Sequence, residues 1–149
     1  ATTSERRVAG QTGPGRASRV RLYFDGGSRG NPGPSYGSYR LQFGDRPPEP
    51  VVRSTFGHGT NNGAEYRALI AGLRGLLRRL DHDGASPGSV SVEVRGDSAL
   101  VIEQMAGRWR VRDPEIRDLW DEAQGLVRGL GEVRFVRHAR RRSVELLGH

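Results

Sequence analysis

The 149-residue chain has no cysteine, no lysine and a single methionine. Without cysteine there is no disulfide framework, no thiolate nucleophile and no zinc–thiolate site. No apolar run approaches the roughly 18 residues needed to cross a bilayer. Nor does an apolar stretch near the N-terminus read as a secretory signal. The expected location is therefore the cytoplasm, with no membrane partner.

What is present suits one domain with one core: 34% hydrophobic and 28% charged residues. All 24 basic residues are arginine, giving a net charge of +7 and a pI of about 11.0. Arginine makes bidentate contacts with phosphate that lysine cannot match, so a nucleic-acid partner is compatible with the charge. The missing lysine has a plainer origin in the Arg-, Gly- and Ala-rich coding bias of a GC-rich genome. The net positive charge remains a separate hint.

Residues 1–18 hold Gly, Ser, Thr, Pro and Arg with almost no apolar side chains, and read as a flexible basic tail. The domain is expected over residues 19–149. Val20–Phe24 reads as a strand, followed by a turn-rich loop, GGSRGNPGPS. Tyr36–Phe43 and Val51–Phe56 complete an antiparallel meander. Ala64–Leu80 repeats Leu69, Ile70, Leu73, Leu76, Leu77 and Leu80 at helical spacing, with Thr60, Asn61 and Asn62 available as caps. Val90, Val92 and Val94 alternate in a fourth strand ending at Gly96–Asp97, where Asp97 would cap a helix over Ser98–Ala106. A helix from Pro114 to Leu130, a strand over Glu132–Val136 and a final helix over Ser143–Leu147 close the chain. There are no internal repeats.

Three carboxylates stand in short glycine-containing settings: Asp25 in YFDGGSRGNPG, Glu65 in TNNGAEY and Asp97 in VRGDS. Singly, each has an ordinary explanation as a turn, a first-turn helix residue or an N-cap. Together, in a β-β-β-α-β-α-α-β-α order, Asp25 ends the first strand and Asp97 the fourth, while Glu65 shares the inward stripe of the long helix with Leu69. Such crowding of anions is costly unless cations share the site. All-oxygen ligation favours hard ions, Mg²⁺ or Mn²⁺. Two such ions about 3.5–4 Å apart suit phosphodiester hydrolysis.

DGGSRGNPGP, TNNGAEYRALIAGL and VRGDS resemble the three core motifs of type 1 ribonuclease H, the enzyme that cuts the RNA strand of RNA–DNA hybrids. GRWRVRDPEIRDLWDEA is similar to the region after the third carboxylate in members lacking a basic helical insertion. The similarity covers most of residues 19–147. It implies an α/β, ribonuclease-H-like fold with a mixed five-stranded sheet flanked by helices. The implied activity is endonucleolytic hydrolysis leaving 3′-hydroxyl and 5′-phosphate ends, with two Mg²⁺ ions and Mn²⁺ as a substitute. By the same resemblance Asp25 would bridge the two ions, with Glu65 and Asp97 binding one of them. Asn31, Thr60 and Asn61 would contact the hybrid backbone, where the 2′-hydroxyl distinguishes RNA from DNA. No aromatic-rich hybrid-binding segment precedes these motifs, so a monomer of modest processivity is expected.

The chain departs from the family at its end. Members commonly carry V-P-R-E-x-N-x-x-A-D-x-L-A, whose aspartate is the fourth carboxylate; this chain has VRHARRRSVELLGH. Aligning the leading valine with Val136 puts Glu145 at the aspartate, Arg141 at the asparagine and Val144 at the alanine. Glutamate can bind a hard cation, although its extra methylene moves the oxygens by about 1.5 Å. Glu145 is thus either the fourth ligand or an exposed helix residue. His138 stands near the loop where many members carry a histidine that helps water or product leave, or it is a solvent-facing loop residue. Arg137, Arg140, Arg141 and Arg142 either bind phosphates, Arg140 and Arg141 foremost, or form a solvated face. His58, His82 and His149 fit no functional arrangement. Two other readings stand beside the hydrolase: a nucleic-acid-binding module with an impaired site, and a DNA-acting relative such as a transposase or resolvase catalytic domain.

Overall fold

The computed structural model describes residues 19–148. The expected basic tail at residues 1–18, together with His149, lies outside the described residues. Five strands form one mixed sheet: β1 (Arg19–Ser28), β2 (Gly33–Phe43), β3 (Val52–Gly59), β4 (Ser91–Gly96) and β5 (Val133–Arg137), in the order β3-β2-β1-β4-β5. Four helices accompany it: α1 (Asn61–His82), α2 (Ala99–Met105), α3 (Pro114–Val127) and α4 (Arg140–Leu147). Among the described residues no helix is long and apolar enough to cross a membrane.

The central strand β1 alternates burial over residues 19–22, as successive side chains point to opposite faces, and both faces are covered over residues 22–25. Val20, Leu22 and Phe24 are buried together with Val92 and Val94 of β4. Leu69, Leu73, Leu76 and Leu80 of α1 share that cluster, so the long helix lies along the sheet. β1 pairs antiparallel with β2 and parallel with β4, in the register Leu22↔Val94 and Tyr23↔Arg95. Carried two residues further, that register brings Asp25 beside Asp97. A parallel pair sends both strand ends to one edge of the sheet, which is the feature that matters most for the site.

The glycine loop after Asp25 is shorter than the sequence suggests. β1 continues through Gly26, Gly27 and Ser28, which pair with Gly37, Tyr36 and Ser35, and β2 begins at Gly33. Gly26 is required there because a Cβ would stand 2.4 Å from the Ala64 carbonyl oxygen, leaving α1 no room to approach. Thr60 caps α1, its hydroxyl accepting from Gly63 N at 3.0 Å. Asp97 does not cap α2: Ser98 does, accepting from Val101 N, and the Asp97 carboxylate is left for other partners. α3 stops at Val127 rather than Leu130, although Leu130 is still buried. α4 starts at Arg140, three residues before the expected Ser143.

α4 is held at both ends. Near its start Ser143 is fully buried and its hydroxyl lies 2.9 Å from His138 Nε2. At its end, Arg40 of β2 donates to the Leu146 carbonyl at 2.9 Å and Arg53 of β3 to the Leu147 carbonyl at 3.1 Å. These cations satisfy carbonyls that the helix leaves unpaired and complement its dipole. The Gly26→Ala variant is expected to lose about 1–3 kcal/mol of stability, the usual cost of overpacking a tight contact. Urea unfolding measures it, and an unchanged midpoint would show that α1 can yield at this point.

Candidate metal and nucleic-acid site

The three carboxylates converge. Asp25, Glu65 and Asp97 each offer an oxygen within 4.8 Å of the others. Asp25 is 0% exposed, Glu65 is nearly buried and the Asp97 side chain is 10% exposed. Their arrangement follows from the fold. β1 and β4 deliver the two aspartates to one sheet edge, and α1 brings Glu65 across from them. Because α1 begins at Asn61 rather than Ala64, Glu65 is its fifth residue and lies beyond the first turn expected from the sequence. The Gly26 N–H donates to Glu65 Oε1 at 3.0 Å and fixes that carboxylate against the strand.

Burial and mutual repulsion work together on these acids. Asp25 is pushed up to about 6, chiefly by burial and then by the Asp97 charge, with Arg140 and the Gly26 N–H opposing. Glu65 is pushed up to about 9 by burial and by the charges of Asp25 and Asp97. The protein therefore holds a compact all-oxygen set that is short of positive charge, and this donor chemistry fits a hard divalent cation. One protein cation is already present: Arg140 Nη1 lies 3.2 Å from Asp25 Oδ2 and 3.3 Å from Asp97 Oδ2.

The residues expected to touch nucleic acid form a second cluster beside the first. Asn31 Oδ1 accepts from Asn61 N at 3.0 Å, and Asn61 Oδ1 accepts from Ser28 N and Ser28 Oγ at 2.8 and 2.9 Å. Thr60 is occupied as the cap of α1. The turn between β1 and β2 is thereby tied to the start of α1, next to Glu65. Both asparagines are exposed, and among the described residues neither side-chain NH₂ has a partner, so both remain donors toward solvent.

Three other residues stand as follows. Glu145 is not in the carboxylate group: it is half exposed on α4 and its Oε1 accepts from Arg142 at 2.8 Å. His138 is partly buried and bonded to Ser143, and burial lowers its pKa below the usual histidine value. Together with Asp97, Arg137, Ala139 and Arg140 it lines an open depression of about 420 Å³. Arg141 is exposed on α4. The contact that sequence reasoning missed is that of Arg140 with the carboxylates. A run of arginines reads as a phosphate-binding face, and periodicity says nothing of where a long side chain ends.

The family model described as reverse transcriptase-like matches residues 51–145. Ribonuclease HI of Halobacterium salinarum is 41% identical over 119 residues, covering 80% of this chain and 56% of that protein. The bifunctional protein Rv2228c of Mycobacterium tuberculosis is 38% identical over 118 residues, covering 78% of this chain and 30% of its own length. The chain thus spans from about a third to just over half of these curated relatives. The crystal structure of the Halobacterium salinarum RNase H1 superimposes with a TM-score of 0.74 at 37% identity, covering 87% of this chain and 93% of that one. LC11-RNase H1 in complex with an RNA/DNA hybrid gives 0.76 at 29% identity, covering 85% and 89%.

The raised carboxylates make a stability prediction for metal-free protein. Glu65 binds its proton more tightly folded, at about 9, than at its ordinary 4.5. Its stabilisation is complete below the ordinary value and is lost as pH rises through the folded one. The melting temperature in EDTA is expected to fall between pH 7 and 9, and Glu65→Gln to flatten that slope. Saturating Mg²⁺, which favours the deprotonated carboxylates, should offset the fall. A melting temperature independent of pH in EDTA would contradict the electrostatics described.

Proposed function

The chain belongs to the type 1 ribonuclease H family, and on that premise we propose that it hydrolyses the RNA strand of RNA–DNA hybrids, leaving 3′-hydroxyl and 5′-phosphate ends. The observation that carries the reading is the convergence of Asp25, Glu65 and Asp97 within 4.8 Å, beside the Asn31–Asn61 cluster. A relative named Ribonuclease HI and a similar fold bound to an RNA/DNA hybrid support it. The proposed working form is a monomer in the cytoplasm.

Asp25, Glu65 and Asp97 would hold the divalent ions, Mg²⁺ or Mn²⁺. Bound there, such ions lower the pKa of water and neutralise charge on the phosphodiester. The chain's own residues do the positioning. The Gly26 N–H keeps Glu65 turned toward Asp25. The free NH₂ groups of Asn31 and Asn61 donate to sugar hydroxyl or phosphate oxygens, and their fixed spacing suits a backbone whose 2′-hydroxyls mark the RNA strand. Exposed Arg137 and Arg141 attract phosphate without reading sequence. His138, held by Ser143, sits at the rim of the depression beside Asp97, where water or product would leave. Glu145, which accepts from Arg142, would serve as a fourth ligand only on leaving that partner.

A second reading, a binding module that does not cleave, draws on two observations: Glu145 stands outside the group, and Arg140 stands within it. Labelled hybrid, duplex DNA and duplex RNA incubated in Mg²⁺ or Mn²⁺ separate the two. Hybrid alone should be cut. Asp97→Asn should lower turnover by at least about 10–100-fold, the cost of losing even a partner that only orients a metal ligand, with the far-ultraviolet circular dichroism unchanged. Near-normal turnover by that variant would sink the assignment. Glu145→Gln should cost far more than Val144→Ala, and Glu145→Asp should keep or raise activity. If Glu145→Gln matches the parent in both metals, the site rests on three carboxylates.

A further inference from the structure

Arg140 is an unusual neighbour for a divalent-cation site. Its side chain is 63% exposed, yet its tip reaches two carboxylates that are 1% and 10% exposed. Nη1 lies 3.2 and 3.4 Å from the two Asp25 oxygens and 3.3 Å from Asp97 Oδ2. One guanidinium nitrogen thus stands between the two aspartates that a cation would share. The guanidinium occupies lone-pair positions on both Asp25 oxygens and on Asp97 Oδ2 that a divalent ion placed between the two aspartates would need, so the two compete for them.

The helix carrying Arg140 has little freedom to withdraw. Ser143 is fully buried against His138, and the C-terminal carbonyls of α4 are held by Arg40 and Arg53. Movement is therefore left to the side chain, which is long, mostly solvated and free to rotate outward. The 420 Å³ depression that it lines with Arg137 and His138 offers room for an outward rotation.

We propose that Arg140 is a resident counter-cation that competes with the divalent metal for Asp25 and Asp97, and swings out of the carboxylate group when metal enters. The proposal rests on the metal-dependent hydrolase reading and adds to it a built-in competitor. With Arg140 inserted, the site is closed to metal. The apparent affinity is then reduced by the fraction of molecules in the open form. Removing the guanidinium removes that penalty, and the swung-out guanidinium adds a positive group at the rim where phosphates pass.

The test is Mn²⁺ binding to the 149-residue chain, read from the electron paramagnetic resonance signal of free Mn²⁺, with no substrate present. Arg140→Gln should bind Mn²⁺ about three- to tenfold more tightly than the parent, as expected when an inserted form holding most of the population is removed. Arg140→Lys, which keeps a cation, should fall between them. Arg141→Gln, an equal loss of charge one residue away, should leave the affinity near the parent's. In EDTA, Arg140→Gln should melt below the parent and gain more from Mn²⁺, which also shows that it folds. Equal or weaker Mn²⁺ binding by Arg140→Gln, with binding and hybrid cleavage intact in the parent, would overturn the competitor alone. An equal gain in Arg141→Gln would overturn it as well, assigning the effect to the general field. Absence of Mn²⁺ binding from parent and variants alike would overturn it together with the hydrolase reading.

Discussion

Packing three carboxylates at one edge of a sheet is the constraint around which this protein is arranged. Each anion repels the others, and burial raises the cost of every charge. The fold imposes the crowding all the same. Parallel pairing of β1 with β4 aligns the ends of both strands, and Gly26 lets α1 come close enough to add Glu65. What relieves the repulsion is local: the Gly26 N–H on Glu65 and the Arg140 guanidinium on both aspartates. The site is electrostatically unfinished, and a hard divalent cation is the species that completes it.

The same geometry relates the proposed metal site to the proposed nucleic-acid surface. Asn31 and Asn61 hold the β1–β2 turn against the start of α1, and α1 also carries Glu65. A nucleic-acid backbone resting on those two side chains, as proposed, would therefore lie next to the carboxylates without any moving part. α4 approaches from the far end of the chain and contributes Arg140. The contact spans 115 residues of sequence. The proposed binding surface, ligand set and counter-cation thus come from four segments, the β1 end with its turn, the start of α1, the end of β4 and α4, that meet only in the folded state.

Much of this could be read from the chain alone, and the failures have physical reasons. Asp25, Glu65 and Asp97 were legible because their flanking segments form short patterns in a fixed order, and the sheet brought them together. The leucine repeat of α1 gave the helix and its inward face. The continuation of β1 through Gly26–Ser28 was not legible, because glycines carry no side-chain alternation; Gly26 leaves room for the approach of α1, and a Cβ at Gly27 would meet the Tyr36 side chain. Ser98 rather than Asp97 caps α2, since two adjacent residues both satisfy the capping pattern and only the fold decides which is free. The start of α4 was hidden by Arg140, Arg141 and Arg142 and by an Ala139 cap without a side-chain bond. The reach of Arg140 into the site leaves no trace in spacing or composition.

The central claim is that these carboxylates exist to share divalent cations. Anomalous diffraction from crystals soaked in Mn²⁺ addresses it most directly. The account predicts anomalous density between the Asp25, Glu65 and Asp97 carboxylates, with the Arg140 guanidinium withdrawn from Asp25 and Asp97. Fully occupied Mn²⁺ elsewhere on the protein, with Arg140 still seated between the two aspartates, would contradict it.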